Sequence, residues 1–125
     1  MLLEGVDLIH LLDDLFAEQK RLYEEYEKRI ENTAEAERKY QVLMRQRALL
    51  ERDSGTPITF IAQFIRGDED IAELRKQRDI CEALEKITEN KIVDIRKRIE
   101  VTNAQAQREW ACRDNHLPVS AEWLE

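Results

Sequence analysis

Residues that interrupt helices are scarce in this sequence, which has three glycines and two prolines among its 125 residues. Two glycines and one proline fall within a single stretch from Gly55 to Gly67, and the others, Gly5 and Pro118, lie near the two ends. Proline removes a helix hydrogen bond, and glycine lowers helix stability. The sequence therefore predicts two long helices separated by one short interruption.

Cysteine and histidine are also scarce, with two residues of each type, which leaves little material for acid-base catalysis or metal binding. Cys81 and Cys112 belong to no disulfide framework, so reduced thiols are expected. Cys112 and His116, with His10 brought to the same end by a hairpin, would suit zinc, but two surface side chains explain the pair more simply. We predict a protein that is not an enzyme and uses no metal or cofactor.

Long apolar runs are absent, and basic residues are not in excess. The longest uncharged runs are far shorter than a membrane span, and the apolar start contains Glu4 and Asp7 with no basic residue before them, unlike a secretory signal. A formal net charge of -7 argues against general coating of nucleic acid. These absences predict a soluble protein of the cytoplasm.

Helical periodicity combined with 38% charged residues is what the sequence has in abundance. Apolar residues recur at steps of three and four on either side of the interruption, as they do on one face of a helix. The predicted stripe of the first helix consists of Ile9, Leu12, Phe16, Tyr23, Tyr26, Ile30, Tyr40, Leu43 and Met44. The predicted stripe of the later helix consists of Ile71, Leu74, Cys81, Leu84, Ile92, Ile95, Ile99, Ala106 and Trp110. Gln19, Glu37 and Arg47 fall on the first stripe and argue against a strict, uninterrupted dimeric zipper.

The interruption itself, SGTPITFIAQFIRGDED, predicts a short helix of its own. Thr56 suits the N-cap, Pro57 the first helical position and Gly67 a left-handed residue at the end. Asp70 with Glu73 then predicts a capping box for the following helix. The short helix is apolar on most of its surface, so another part of the protein or a partner is expected to cover it.

Two helices of similar length joined by a short one favour an all-α fold, a long, coiled-coil-like antiparallel hairpin with the apolar helix at its tip. The predicted elements of this single domain, 1–125, are helices over about 5–52, 57–66 and 70–113 and a tail, 114–125, in which Ser120 caps a last turn with Trp123 and Leu124. Two helices alone bury too little apolar surface to be stable, so we predict a homo-oligomeric helical bundle, most simply a dimer with four helices. The predicted interface residues are Ile58, Ile61, Ile65, Ile71 and Leu74.

Charge is unevenly distributed along the chain. Residues 1–37 contain 11 acidic and 4 basic residues, residues 38–78 contain 6 and 9, and residues 79–125 contain 10 and 7. A hairpin would place the basic region at the tip, where guanidinium groups can bind phosphate and phenylalanine rings can stack on bases. The candidate residues for binding a ligand or partner are Arg45, Arg47, Arg52, Ser54, Thr56, Phe60, Phe64, Arg66, Arg75 and Arg78. The alternative is that these arginines form solvated helix faces and salt bridges, with both phenylalanines in the core.

The stretch GTPITFIAQFIRGDEDIAELRKQRDICEAL and the following ITENKIVDIRKRIEVTNAQAQREW resemble a group of small all-α proteins carried by phages and prophages of Gram-positive bacteria. The matching positions, within residues 38–110, are Gly55, Pro57, Gly67, Asp68, Ala72, Leu74, Arg78, Asn90, Lys91, Glu109 and Trp110. The resemblance implies a phage-encoded accessory protein in the cytoplasm of a bacterial host, and it carries over no catalytic residues.

From these features we expect a non-enzymatic, oligomeric binding protein that inhibits host antiviral defence. It would either sequester a nucleotide signal at the tip arginines and phenylalanines or block a host protein through acidic helix faces. The acidic residues in question are Glu24, Glu25, Glu27, Glu31 and Glu35. One alternative is a DNA recombination or replication accessory protein that binds single strands through Arg45, Arg47 and Arg52, and another is a structural or assembly scaffold.

Overall fold

The computed structural model describes residues 5–116, with side chains through residue 112, and these residues form three helices. The helices are α1, Gly5–Asp53, α2, Ile58–Gly67, and α3, Glu69–His116. The predicted all-α class is confirmed, because residues 5–116 contain no strand. None of their helices has an apolar segment long enough to cross a membrane. The last turn predicted around Trp123 and Leu124 lies outside the described residues.

α1 ends in a Schellman motif centred on Gly55. The Thr56 amide donates to the carbonyl of Glu51 at 3.0 Å, and the Gly55 amide donates to the carbonyl of Arg52 at 3.1 Å. Gly55 has a φ of 83°, in the left-handed region that glycine adopts without a steric penalty. The Thr56 hydroxyl also donates to the Glu51 carboxylate at 2.8 Å. Backbone and side chain together therefore stop α1 at this point.

Pro57 is the residue before α2, so its predicted place inside the helix is wrong by one position. Its φ of -58° and ψ of 141° are not helical, and its carbonyl accepts hydrogen bonds from the amides of Phe60 and Ile61. The predicted N-cap at Thr56 is also wrong, because that hydroxyl bonds to Glu51 instead. α2 consequently begins without a side-chain cap.

Asp68 separates α2 from α3 and takes the capping role that was predicted for Asp70. Its Oδ1 accepts hydrogen bonds from the amides of Asp70, at 2.9 Å, and Ile71, at 3.1 Å. Its carbonyl accepts a hydrogen bond from the Ala72 amide at 2.9 Å. These are the bonds of an N-cap residue, so the predicted capping box of Asp70 with Glu73 is wrong.

Gly67 does not adopt the left-handed conformation that was predicted for it. It is the last residue of α2, and the only positive φ within the described residues belongs to Gly55. The break comes from the extended Asp68, with a φ of -73° and a ψ of 121°, whose amide donates to the carbonyl of Ile65 at 3.3 Å. An extended aspartate makes a left-handed glycine unnecessary here.

The chain divides into two compact units. Unit 1 combines α1 up to Tyr23 with α3 from Asn90 onward, and unit 2 is Glu24–Glu89. Both long helices therefore contribute to both units, whereas α2 belongs to unit 2 alone. The single domain over 1–125 stays a prediction.

In unit 1, α1 buries a row of leucines, Leu8, Leu15 and Leu22, spaced seven residues apart. The stripe predicted for this part of α1 consists of Ile9, Leu12, Phe16 and Tyr23. Leu12 is half-buried, but the other three side chains are 41%, 52% and 41% exposed, so the prediction is wrong for these three. Both rows are apolar with the same spacing and lie next to each other, so periodicity alone does not decide which one is buried.

α3 contributes Ile92, Ile95, Thr102 and Ala106 to the core of unit 1. These residues follow one another at steps of three, seven and four, as in a coiled-coil seam. The prediction is confirmed for Ile92, Ile95 and Ala106, but Trp110 is 45% exposed. Unit 1 therefore has a seam of aliphatic side chains with one threonine.

Unit 2 buries polar groups beside its apolar ones. Tyr40, Ile71 and Thr88 are buried, and the Thr88 hydroxyl donates to the carbonyl of Leu84 at 3.0 Å. The Nε of Arg29 is buried without a hydrogen-bond partner among the described residues. The rest of this guanidinium group is partly exposed, and its Nη2 lies 3.4 Å from a carboxylate oxygen of Glu25.

Candidate functional site

α2 is the most apolar of the three described helices, and it alone among them has no buried residue. None of its ten residues is buried. Ile58 is 86% exposed, Phe60 is 51% exposed and Phe64 is 56% exposed. We call these three residues the α2 patch. The two phenylalanines are not core residues, as one alternative supposed, but present about half of their surface to solvent.

The opposite side of α2 is partly covered. Ile61 and Ile65 are half-buried. Ile65 borders an open groove of about 500 Å³ whose other wall is α1. The α1 residues along this groove are Gln41, Val42, Met44, Arg45 and Ala48. α2 therefore packs in unit 2 through Ile61 and Ile65, while the row of Phe60 and Phe64 and the first isoleucine, Ile58, stay exposed.

Two predicted interface residues lie at the start of α3. Ile71 is fully buried, and Leu74 is half-buried. Ile71 thus has no surface left for a second chain to contact. Among the predicted interface residues, Ile58 has by far the largest accessible surface.

Arg47 is paired within unit 2. Its Nη2 donates to Oδ2 of Asp70 at 2.8 Å, and its Nε lies 3.5 Å from Oδ2 of Asp68. Its side chain is 38% exposed. The pairing places its charge at the start of α3, so Arg47 is less available to a phosphate than an unpaired arginine.

Arg75 and Arg78 are brought together by Tyr40. Their guanidinium carbons lie 5.8 Å and 4.6 Å from the centroid of the buried tyrosine ring, within the range of cation-π contacts. Arg78 also donates to the carboxylate of Asp79, which raises the pKa of its guanidinium group above the usual value. It lies 3.5 Å from the carboxylate of Glu37 as well. This cluster is an internal contact between helices rather than an open anion site.

The remaining candidates differ in how they are held. The Ser54 hydroxyl donates to the carbonyl of Leu50 at 2.9 Å, and Thr56 is bound to Glu51. Arg45, Arg52 and Arg66 are exposed, and their guanidinium groups make no hydrogen bond or ion pair with other described residues. Three of the candidate arginines therefore have no partner among the described residues.

A second exposed apolar surface lies on α1 in unit 1 and was missed as a site, because periodicity placed these residues in the core. It consists of Ile9, Phe16 and Tyr23, which we call the N-terminal stripe. The Tyr23 hydroxyl accepts a hydrogen bond from Nη2 of Arg96 at 2.8 Å. The seven-residue spacing of these side chains is visible in the sequence. Whether they are buried or exposed depends on which face of α1 packs against α3.

Unit 1 also has a groove, which is lined by aliphatic and charged side chains of α1 and α3. Its volume is about 440 Å³, and Glu18, Lys91 and Arg98 are among its lining residues. A hydrogen bond from Arg21 holds the pKa of Glu18 below its usual value, with smaller contributions from the charges of Lys91 and Arg98. The opposing charges nearly balance, so this groove selects neither anions nor cations.

Residues suited to metal binding do not cluster in the described part of the chain. Among side chains up to residue 112, no group of three or more His, Cys, Asp or Glu is close enough to hold a metal ion. Cys81 is half-buried and Cys112 exposed, both as free thiols. The side chain of His116, the predicted partner of Cys112, lies outside the described residues.

Comparison with known proteins assigns no relative. No family model, no curated protein and no solved structure matches the chain. The resemblance to phage and prophage proteins therefore stays a prediction from the sequence.

Proposed function

We propose that this protein is a non-enzymatic helical binding protein that associates with itself through α2. In this proposal α1 and α3 form a long antiparallel hairpin with α2 at its tip. The observation that carries the proposal is the exposure of the α2 patch on a helix with no buried residue. Soluble monomers rarely expose large apolar side chains close together, and such surfaces usually mark a binding site.

The contacts within unit 2 support the hairpin. As the α1 position falls from Arg47 to Tyr40 and Glu37, the α3 partner rises from Asp70 to Arg78. Two helices whose contacts change in opposite directions run antiparallel. The turn at Gly55 and the extended Asp68 supply the two changes of direction that this arrangement needs.

The size of the apolar gain makes self-association energetically reasonable. About 100 Å² of each phenylalanine ring is exposed, if half of a typical aromatic side chain is accessible. At about 25 cal/mol per Å², covering each ring contributes about 2.5 kcal/mol. The four phenylalanine rings of two chains would then contribute about 10 kcal/mol, which lies within the range of about 4–15 kcal/mol that association costs.

The proposal is tested by measuring the molar mass of the wild type and of Phe64→Asp over a range of concentrations by sedimentation equilibrium. We expect a concentration-dependent oligomer for the wild type and a monomer for Phe64→Asp. Gln63→Asp is the matched control, because it adds the same charge to an adjacent exposed position of α2 and should still associate. A folded wild type that is monomeric at all concentrations refutes the proposal.

For the cellular role, we propose inhibition of a host defence protein, following the resemblance to phage proteins. The acidic surface of α1 supports a target with a basic channel, because Glu24, Glu27 and Glu31 are exposed and pair with no described residue. Glu35 differs, because Arg38 bonds to it. An oligolysine peptide serves as a probe: binding measured by fluorescence anisotropy should be lost in Glu24→Lys/Glu27→Lys/Glu31→Lys, and equal binding by both proteins contradicts this role.

Binding to a nucleotide or to single-stranded DNA is the second candidate function. The unpaired guanidinium groups of Arg45, Arg52 and Arg66 favour it. A fluorescent single-stranded oligonucleotide should bind at low salt, weaken steeply as salt is raised, and fail to bind Arg45→Gln/Arg52→Gln. If the oligonucleotide does not bind the wild type even at low salt, nucleic-acid binding is excluded.

A further inference from the structure

We propose that α2 is a separately opening segment, which detaches from the rest of unit 2 and unfolds while α1 and α3 stay helical up to their own ends. Opening of this kind is a property of the single chain and does not require self-association. Three features of unit 2 carry it: the few contacts of α2, the independent ends of the two neighbouring helices, and the short length of α2.

Few contacts hold α2 in place. None of its ten residues is buried, and only Ile61 and Ile65 are half-buried. Its polar side chains, Thr59, Gln63 and Arg66, make no hydrogen bond or ion pair with other described residues. Segments that bury little apolar surface are the ones that open at the lowest cost in a folded protein.

The end of α1 does not depend on α2. The amides of Ser54, Gly55 and Thr56 donate to carbonyl groups of α1, and so does the Ser54 hydroxyl. The Thr56 hydroxyl donates to the Glu51 carboxylate. Every donor and acceptor in this set precedes Pro57 in the chain, so α1 keeps its closing bonds when α2 unfolds.

The start of α3 is equally independent of α2. Asp68 caps α3 by accepting hydrogen bonds from the amides of Asp70 and Ile71. Arg47 of α1 holds both aspartates, because it lies 3.5 Å from Oδ2 of Asp68 and donates to Asp70 at 2.8 Å. α2 supplies no donor and no acceptor to these contacts, so α3 also keeps its cap when α2 unfolds.

α2 is too short to stay helical by itself. It has ten residues and no side-chain cap at its start, and isolated helices of fewer than about 12 residues are marginal in water. Once Ile61 and Ile65 lose their contacts, the helix therefore unfolds, and residues 57–67 become a loop tied at Thr56 and Asp68. Detachment and unfolding are a single step.

Opening changes the surface that the chain presents. Ile65 borders the groove of about 500 Å³ whose α1 wall includes Met44 and Ala48. When α2 detaches, the groove loses its α2 side, and these two half-buried α1 side chains become more accessible. The α2 patch exists only in the closed state, so a partner that binds the patch keeps α2 closed.

Hydrogen exchange followed by mass spectrometry in increasing urea tests the proposal. The protein used is Phe64→Lys, which disrupts the α2 patch so that no second copy covers α2. Lysine suits the C-terminal half of a helix, so this substitution does not itself favour opening.

After correction for intrinsic rates, the amides of residues 61–67 should exchange on the order of 100-fold faster than those of 35–48 and 74–86. Low urea should hardly change the rate for 61–67, because opening α2 exposes little surface. The rates in the two long helices should rise steeply with urea, because their exchange exposes much more.

Two further variants separate opening of α2 from unfolding of the whole chain. Ile61→Ala weakens the contacts of α2 and should speed exchange of 61–67 by roughly 10-fold. Tyr40→Ala removes the ring that Arg75 and Arg78 contact, so it should speed exchange in both long helices and leave that of 61–67 unchanged. Tyr40→Leu, which keeps an apolar side chain, repeats this arm if far-UV circular dichroism shows that Tyr40→Ala is not folded.

Equal protection and equal urea dependence of 61–67 and the long helices in Phe64→Lys would overturn the proposal, because α2 would then unfold only with the whole chain. Acceleration of 61–67 by Tyr40→Ala to the same extent as the long helices would overturn it as well. In the wild type, protection of 61–67 should rise with protein concentration as copies associate through α2. Fast exchange of 61–67 in both proteins at every concentration supports separate opening and refutes self-association through α2, so the two proposals fail independently.

Discussion

Replacement of Asp68 tests the structure most directly, because two helices meet at this residue. Asp68→Ala removes the acceptor of the Asp70 and Ile71 amides and the ion pair with Arg47. An N-cap to alanine change costs about 1 kcal/mol, and a partly exposed ion pair contributes up to about 1 kcal/mol. We expect the free energy of unfolding to fall by about 1.5 kcal/mol, measured by urea unfolding at fixed protein concentration.

Two further variants separate the cap from the charge. Asp68→Asn keeps the side-chain acceptor and loses only the ion pair, so it should cost about 0.5 kcal/mol. Asp70→Ala loses its own bond to Arg47 and a favourable charge in the first turn, but no cap, and should cost at most about 1 kcal/mol. If Asp70→Ala is more destabilising than Asp68→Ala, the assignment of Asp68 as the N-cap of α3 is refuted.

Three more predictions follow from the turn, the core and the surface. Gly55→Ala is expected to lower the free energy of unfolding by about 1 kcal/mol, because Gly55 has a φ of 83°. Gly67→Ala should be neutral or slightly stabilising, because a Cβ there would meet open space. Equal losses for the two variants in urea unfolding would contradict this. Arg29→Met removes a buried Nε without a described partner and also the ion pair with Glu25. The free energy of unfolding should therefore change by less than about 1 kcal/mol, and a loss above about 2 kcal/mol in urea unfolding would show that Arg29 makes a further needed contact. The hydrogen bond from Arg38 lowers the pKa of Glu35 below its ordinary value of 4.5, so the pair stabilises the fold above that pH and its contribution is lost as the pH falls below it. An NMR titration should show the Glu35 pKa rising toward its ordinary value in Arg38→Gln, and an unchanged pKa would refute the pairing.

Much of the secondary structure can be predicted from residues that are close together in the sequence. The scarcity of glycine and proline predicts long helices, and the breakers around Gly55 predict the turn, because both act through the backbone of a few neighbouring residues. The helix caps are harder to predict. Thr56 and Asp70 have side chains that suit a cap, but the Thr56 hydroxyl binds Glu51 and Asp68 takes the place of Asp70 as the N-cap of α3. Which of several nearby polar residues becomes the cap depends on how the chain enters the helix.

The candidate site, like the helix caps, could be predicted from the sequence only in part. Basic residues near the short helix are evident in the sequence, but their partners are not. Arg47 and Arg78 bind carboxylates in unit 2, while Arg45 and Arg66 bind none that is described. Distances between α1 and α3 decide this, and no local pattern encodes them.

The sequence by itself determined that the chain is all-α, that its helices carry apolar rows of coiled-coil spacing, and that one short apolar helix interrupts them, because these properties depend on residues close together in the chain. Only the tertiary structure decided that Leu15 is buried and Phe16 exposed, and that Phe60 and Phe64 remain uncovered. The physical reason is that adjacent rows on a helix are equally apolar until a second helix packs on one of them.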